Sequence, residues 1–243
     1  AAEDTRVTGR LLMHFGIKTR QTALHDHNEE SMSAKLVDEL RAGKSVALVS
    51  DAGTPLISDP GFRLLREAHQ AGINVSPIPG ASALVAAVSA SGLPTDRFAF
   101  EGFLPARKSG RLKLLQAFAT ETRTTVFYES VHRISDAIDD MLEAFGPARS
   151  AFLGRELTKL HEQCVRGNLQ QIADMLADGR IPTKGEFVIV VEGAAETAPD
   201  ETAINADRLL AALTEVMPGK QAVAIVAEVS GQNRNALYRR MLA

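Results

Sequence analysis

The residues best suited to chemistry stand in one loop, Ser50-Asp51-Ala52-Gly53-Thr54-Pro55-Leu56-Ile57-Ser58-Asp59-Pro60-Gly61, where two glycines, two prolines and two aspartates share twelve positions. Proline fixes φ and glycine lets a ligand approach the backbone, so a loop of this make-up suits a polar small molecule. It is not a common phosphate cradle, because it has neither a G-x-G-x-x-G spacing nor a closing Gly-Lys-Ser/Thr. Asp51 and Asp59 suit plain capping and turn duty as well, with Asp59 as N-cap and Pro60 first in the helix behind it. A second polar group, Glu129, His132 and Arg133, falls at a strand end and in a first helical turn, again a place where sites are built.

These residues need elements to position them. Val46-Ala47-Leu48-Val49 reads as a buried parallel strand, and the carboxyl edge of an open α/β sheet is where ligands sit. Behind the loop, Phe62, Leu65 and Ala68 make one apolar helical face that ends at Gly72. Further helices are expected through Leu11, Leu12 and Phe15 after a cap at Asp4, and through Leu36, Val37 and Leu40 after a cap at Asn28. Ile73-Asn74-Val75 reads as another strand, and the turn from Pro77 to Gly80 leads into a small-residue helix from Ser82 to near Gly92. This alternation makes residues 1–93 a doubly wound α/β domain.

Leu93-Pro94-Thr95-Asp96 reads as a hinge to a strand-rich domain over 94–193. Its expected strands are Phe98–Phe103, Thr124–Tyr128, Arg149–Glu156 and Phe187–Val191. One helix carries Ile134, Ile138, Met141, Leu142 and Phe145 behind an N-cap at Ser130, and another carries Leu169, Ile172, Met175 and Leu176. Residues 194–203 are a linker by composition, and 204–243 read as three short helices with a turn at Gly231, as in a helix-turn-helix.

With 243 residues, 45% hydrophobic and 23% charged, the chain is long enough for one or two cores. A single cysteine, Cys164, excludes an internal disulfide and a Cys-rich metal site and suits a reducing compartment. No apolar run approaches the roughly 18 residues of a membrane span, so a cytoplasmic protein without membrane contact is expected. His25-Asp26-His27 offers two imidazoles without a third ligand at a convincing spacing, and no metal is expected. The net charge of -3 confines any RNA contact to local patches. Two such patches stand out: Arg107, Lys108, Arg111 and Lys113, and the end of the chain from Lys220 onward, which is net +3.

Asp-Ala-Gly-Thr-Pro at 51–55, Ser-Asp-Pro-Gly at 58–61 and Pro-Gly-Ala-Ser-Ala at 79–83 resemble the cofactor loops of the tetrapyrrole methylase superfamily, the class III S-adenosylmethionine-dependent methyltransferases. Phe127-Tyr128-Glu129-Ser130-Val131-His132-Arg133, Gly154-Arg155-Glu156-Leu157-Thr158-Lys159 and Lys184-Gly185-Glu186 are similar to motifs of one branch, the bacterial cytidine 2'-O-methyltransferases of 16S ribosomal RNA. The resemblance runs from Ala2 to the end of the chain. It implies two α/β domains with the cofactor cleft between them, a mixed sheet in the second, and a small C-terminal helical domain. It also implies an enzyme that methylates the ribose of a cytidine in the decoding region of the small subunit, working as a homodimer.

The same resemblance assigns roles. Asp51, Ala52, Gly53, Thr54, Pro55, Ser82, Ala83, Tyr128 and Gly185 fall to S-adenosylmethionine. Arg107, Lys108, Arg133, Arg155, Lys159, Arg234, Tyr238 and Arg239 fall to RNA, with ordinary salt bridges as the other reading of the basic residues. Glu129, His132, Glu156 and Glu186 are the candidates for taking the hydroxyl proton, unranked. Glu3, Asp4, Thr5 and Arg6 fall at a site edge, and the branch has an N-terminal strand and a Gly-Asn loop that are expected ahead of Ala1. Two rival readings stay open: methylation of a corrin or sirohaem precursor, which uses the same cofactor loops, and a non-catalytic RNA- or ribosome-binding protein. The basic C-terminal helices and the Phe-Tyr-Glu-Ser-x-His-Arg string speak against the first.

Overall fold

Strand alternation in the middle of the chain builds one mixed sheet. A computed structural model describes residues 1–195 and 206–241, in two units divided after Ala194. In the first unit β1 (Phe98–Phe103), β2 (Thr124–Ser130), β3 (Ser150–Arg155), β4 (Gln163–Asn168) and β5 (Glu186–Val191) form a sheet of order β1-β2-β5-β3-β4. Only β1 and β2 run parallel; the other neighbours are antiparallel.

Period-two alternation sorts the strand residues to two faces. Phe127, Leu153, Phe187 and Ile189 pack with Leu115 of α5 (Lys108–Ala117), Ile134, Ile138 and Met141 of α6 (Ile134–Phe145) and Leu169 and Ile172 of α7 (Leu169–Ala177). Val126, Phe152, Val188 and Val190 face the other way, against Ala87 and Val88 of α4 (Ala83–Ser91). The alanines of α4 keep that helix close to the sheet.

Strand β4 is absent from the sequence reading. Its segment, Gln-Cys-Val-Arg-Gly-Asn, is a polar edge whose pairing comes entirely from β3. It ends at Asn168, which forms a capping box with Gln171 at the head of α7. The N-cap expected at Ser130 is also corrected: Ser130 is the last residue of β2, and α6 follows Arg133.

The four helices expected in the first part of the chain form, with α1 (Thr5–His14), α2 (Glu29–Arg41) and α3 (Phe62–Gln70) ahead of α4. The expected strands at 46–49 and 73–75 do not form. Parallel pairing survives as two isolated bridges, Ala2 to Ala23 and Ala2 to Val49. The Ala2 N–H donates to Thr22 at 2.9 Å and its carbonyl accepts from Leu24 at 2.8 Å, while Glu3 N–H reaches Val49 at 3.1 Å. The ladder stops there because Asp4, accepting from Arg6 N–H at 2.7 Å, turns the chain into α1. Leu24, Leu36, Val37 and Leu64 form the small core of this part.

The basic run after β1 is only partly a surface. Arg111 is buried, and its Nε lies 2.6 Å from Oδ2 of the equally buried Asp140, with Lys108 Nζ at 3.5 Å from Oδ1.

The second unit holds α8 (Ala206–Thr214), α9 (Gly219–Ser230) and α10 (Arg234–Met241), packed on Leu210, Val223, Val226 and Leu237. Left-handed Gly231 ends α9, and Asn233 Oδ1 accepts from Asn235 N–H at 2.9 Å to open α10. Arg240 pairs with Asp207 at 3.0 Å. Most of the linker expected at 194–203 lies outside the described residues. Among the described residues no helix is long and apolar enough to cross a membrane.

Removing one partner of a buried pair leaves an uncompensated charge, so Arg111→Met should destabilise the protein by about 3–5 kcal/mol. Adding Asp140→Leu should recover most of that loss in urea unfolding.

Candidate active site

The Ser50–Gly61 loop reaches its shape through left-handed residues: Gly53 at φ 72°, Leu56 at 72°, Ser58 at 67° and Gly61 at 130°. For Leu and Ser this conformation costs on the order of 1–3 kcal/mol each, so the surroundings must impose it. They do so by close packing. A Cβ on Gly61 would stand 2.6 Å from Leu48 Cδ2, and one on Gly102 would stand 3.0 Å from Ser58 Oγ. Gly102 is itself left-handed and sits where the register of β1 slips against β2, so a bulge makes room for the loop. The Thr54 hydroxyl donates to the Ala81 carbonyl at 2.9 Å, tying this loop to the turn before α4.

Two side chains hold the head of α4. Ser82 is its N-cap, accepting from Val85 N–H, and the Tyr128 hydroxyl accepts from Leu84 N–H at 3.0 Å. The Tyr128 ring meets Phe100 and Phe103 edge to face at 4.8 and 5.7 Å, and burial pushes its hydroxyl pKa up. Between loop, α4 and the ends of β2 and β5 lies a cavity of about 370 Å³, lined among others by Gly53, Thr54, Asp59, Ala83, Tyr128 and Glu129.

Its carboxyls differ in environment. Glu129 is buried, with Oε1 accepting from Ser130 N–H at 2.6 Å and 2.7 Å from Arg133 Nη2, and Oε2 without a partner. Asp59 is pushed up to about 6, first by burial and then by the charge of Glu3, with Asp51 and Asp26 adding to it against the Ser50 hydroxyl. Beside the cavity, Glu156 is left-handed at φ 49° and accepts from Glu186 N–H at 2.8 Å and Lys159 Nζ at 3.1 Å. Those two bonds, the backbone one first, hold its carboxyl below the usual range. The same Lys159 lies 2.8 Å from Glu186.

The model of the tetrapyrrole (corrin/porphyrin) methylases matches residues 1–173, and that of the RsmI C-terminal HTH domain matches 199–243. The chain belongs to the tetrapyrrole methylase family. Among curated relatives, ribosomal RNA small subunit methyltransferase I of Pasteurella multocida is 49% identical, over 98% of this chain and 85% of its own length. The protein of the same name from Escherichia coli O157:H7 is 47% identical, over 98% and 83%. Solved structures of the methyltransferase CobJ (TM-score 0.52, 19% identity, 79% of this chain and 87% of that one) and of diphthine synthase (0.53, 16%, 76% and 73%) share the fold.

In this tetrapyrrole methylase, the residues singled out by sequence separate into groups. Ala52, Gly53, Thr54, Ala83, Tyr128, Glu129, Gly185 and Glu186 line the one cavity. Asp51 and Pro55 stand in the same loop, and Ser82 at the start of α4. Asp51 joins the loop to the chain start, accepting from Asp4 N–H at 3.1 Å while its own N–H donates to Glu3 at 3.0 Å. Glu156 lies under Gly185, where a Cβ would meet its Cγ at 2.4 Å. His132 is exposed in the turn before α6. Arg155 is buried and gives Nε to the Lys184 carbonyl at 2.6 Å and Nη1 to that of His161 at 2.9 Å. Arg133 is held by Glu129, by Ser130 Oγ at 3.2 Å and by the Leu104 carbonyl at 3.4 Å. Arg107 is exposed ahead of α5, and Lys108 is drawn to Asp140. Arg234, Tyr238 and Arg239 are exposed on α10 in the second unit. A separate groove of about 330 Å³ around Ala1, Thr8, Thr22 and Val46 holds none of these residues.

Sequence reasoning missed Asp59 as a site group. An Asp-Pro pair before a helical pattern reads as a cap, yet Gly61 is the N-cap of α3, and Oε1 of Glu29 accepts from Gly61 N–H at 2.9 Å and Arg63 N–H at 2.8 Å. Only the pairing of α2 with α3 reveals that substitution.

The raised Asp59 pKa sets a stability dependence on pH. Above about 6 the folded state carries an unfavourable charge, whereas below the ordinary 3.8 both folded and unfolded chains are protonated. Asp59→Asn should therefore melt above the wild type at pH 7 to 8, and calorimetry should show the gap closing as pH falls from 6 toward 4.

Proposed function

We propose that this protein transfers the methyl group of S-adenosylmethionine to the ribose 2'-hydroxyl of a cytidine in the RNA of the small ribosomal subunit. The observation that carries the proposal is the meeting of the Ser50–Gly61 loop, the head of α4 and the Tyr128-Glu129 strand end around one cavity. Relatives 47–49% identical over nearly the whole chain bear the small-subunit ribosomal RNA methyltransferase name, which supports RNA as the acceptor over a tetrapyrrole precursor. The C-terminal domain match favours the same choice.

The cavity suits the cofactor. Its size is within the roughly 300–1,000 Å³ of small-molecule sites, nothing lies within 4 Å of a Cβ built on Gly53, and the buried Glu129 Oε2 lacks the donor that an amino group would provide. Gly53, Thr54 and Ala83 would hold it against Tyr128. When bound, the cofactor supplies a sulfonium methyl already activated as an electrophile. The chain's share is alignment, exclusion of water by Phe103 and Tyr128, and acceptance of a proton. Arg234, Tyr238 and Arg239 would contact RNA from α10, and the working form is taken as a cytoplasmic homodimer.

The test is methyl-labelled S-adenosylmethionine with small subunits from cells lacking the modification, followed by nuclease mapping and mass spectrometry. Label is expected on one cytidine 2'-oxygen. Binding without label would assign another acceptor, and no binding would leave a non-catalytic RNA-binding protein. Gly53→Val should weaken cofactor binding at least tenfold by calorimetry, since β-branched residues resist positive φ. Arg234→Ala with Arg239→Ala should weaken RNA binding and flatten its logarithmic salt dependence by about one per arginine.

A further inference from the structure

Asp59 is the cavity carboxyl that the fold has relieved of structural duty. The helix head beside it is capped by Glu29 from α2, through Gly61 and Arg63. The other two carboxylates of the cavity are engaged, Glu129 with Arg133 and Ser130, Glu186 with Lys159. The segment that delivers Asp59 carries left-handed Leu56 and Ser58, a strain that proteins retain where a site needs it. An independent sign that the cavity receives a polar ligand is Glu129 Oε2, buried on its wall without a partner. The groups facing Asp59 are the carboxylates of Glu3, Asp51 and Asp26 and the Ser50 hydroxyl on its own side, with Tyr128 opposite.

We propose that Asp59 accepts the proton of the acceptor hydroxyl during methyl transfer, an inference that rests on the function proposed above. The hydroxyl O–H bond breaks and its proton passes to an Asp59 carboxylate oxygen. The pair left on oxygen forms the new O–C bond, and the pair of the broken C–S bond stays on sulfur. A carboxylate whose burial and acidic neighbours raise its basicity is still ionised at neutral pH, the compromise that general-base catalysis favours. Glu156, held the other way by the Glu186 N–H and then by Lys159, is the weaker base.

The experiment compares wild type, Asp59→Asn and Asp59→Glu in single-turnover methylation of small subunits between pH 5 and 8. It runs beside calorimetry of S-adenosylmethionine binding and a carbon-13 titration of the Asp59 carboxyl. The asparagine variant should lose about 10²–10⁴ in rate, the usual worth of a general base, with cofactor affinity within threefold. The wild-type rate should rise with pH around the midpoint that the carbon-13 signal gives near 6. That limb should vanish in the residual activity of Asp59→Asn and return, shifted, in Asp59→Glu. An Asp59→Asn rate near wild type, an acid limb that persists in it, or a carboxyl midpoint near 4 would overturn the proton role alone. Loss of rate together with loss of cofactor binding would overturn it in favour of a binding role. Failure of the wild type to label any subunit would bring down the underlying function as well.

Discussion

The site depends on Glu29. Its carboxylate receives two N–H groups at the head of α3, where a helix leaves donors unsatisfied and favours a negative charge. A cap of this kind contributes about 0.5–2 kcal/mol, but its larger effect is geometric. It pins Gly61, the last residue of the loop, from a position 32 residues earlier in the chain, while Thr54 pins the middle through Ala81 and Asp51 pins the start through Glu3 and Asp4. Held at three points, the loop keeps Leu56 and Ser58 in conformations they would not choose alone. A local Asp cap would have consumed the carboxyl that the cavity displays.

The sheet supplies the opposite wall by a different logic. β2 and β5 are buried on both faces, by three helices on one and by α4 on the other. Their ends are therefore rigid, and Tyr128, Glu129 and Glu186 leave them in fixed positions. Two glycines then admit what side chains would block. Gly102, at the bulge in β1, gives space to Ser58, and Gly185, at the entry to β5, gives space to Glu156. Each is a left-handed residue whose place is set by a neighbour distant in sequence.

The parts of this arrangement that were legible in the sequence are those with local signatures. Apolar runs marked β2, β3 and β5, and periodic faces marked α6 and α7, because burial on a sheet imposes a pattern on the element itself. The loop strings and the Phe-Tyr-Glu-Ser motif pointed to the residues that gather at the cavity. What could not be read there is decided by partners. Val46–Val49 looks like a strand, but pairing ends at Ala2 because Asp4 starts a helix. β4 looks like a loop, but β3 supplies its ladder. Arg111 looks like surface charge until Asp140 is found beside it in the core. Arg155 looks like a phosphate ligand until two carbonyls are found to use its guanidinium. In each case the hydrogen-bonding partner that the fold supplies outweighs the preference written in the segment itself.

The same dependence on partners explains how one site holds carboxyls of opposite character. Glu156 receives the Glu186 backbone N–H and the Lys159 ammonium, which together hold its carboxyl below the usual range and fix it beneath the Gly185 turn. Asp59 sits half-buried among like charges with a single hydroxyl in its favour, and changes protonation close to physiological pH. Environments that drive two similar groups apart in this way separate a structural charge from a working one. The fold spends hydrogen-bond donors on the first and withholds them from the second. Glu29 belongs to this division of labour, since it meets the N–H groups of Gly61 and Arg63 at the head of α3 and Asp59 is not their cap.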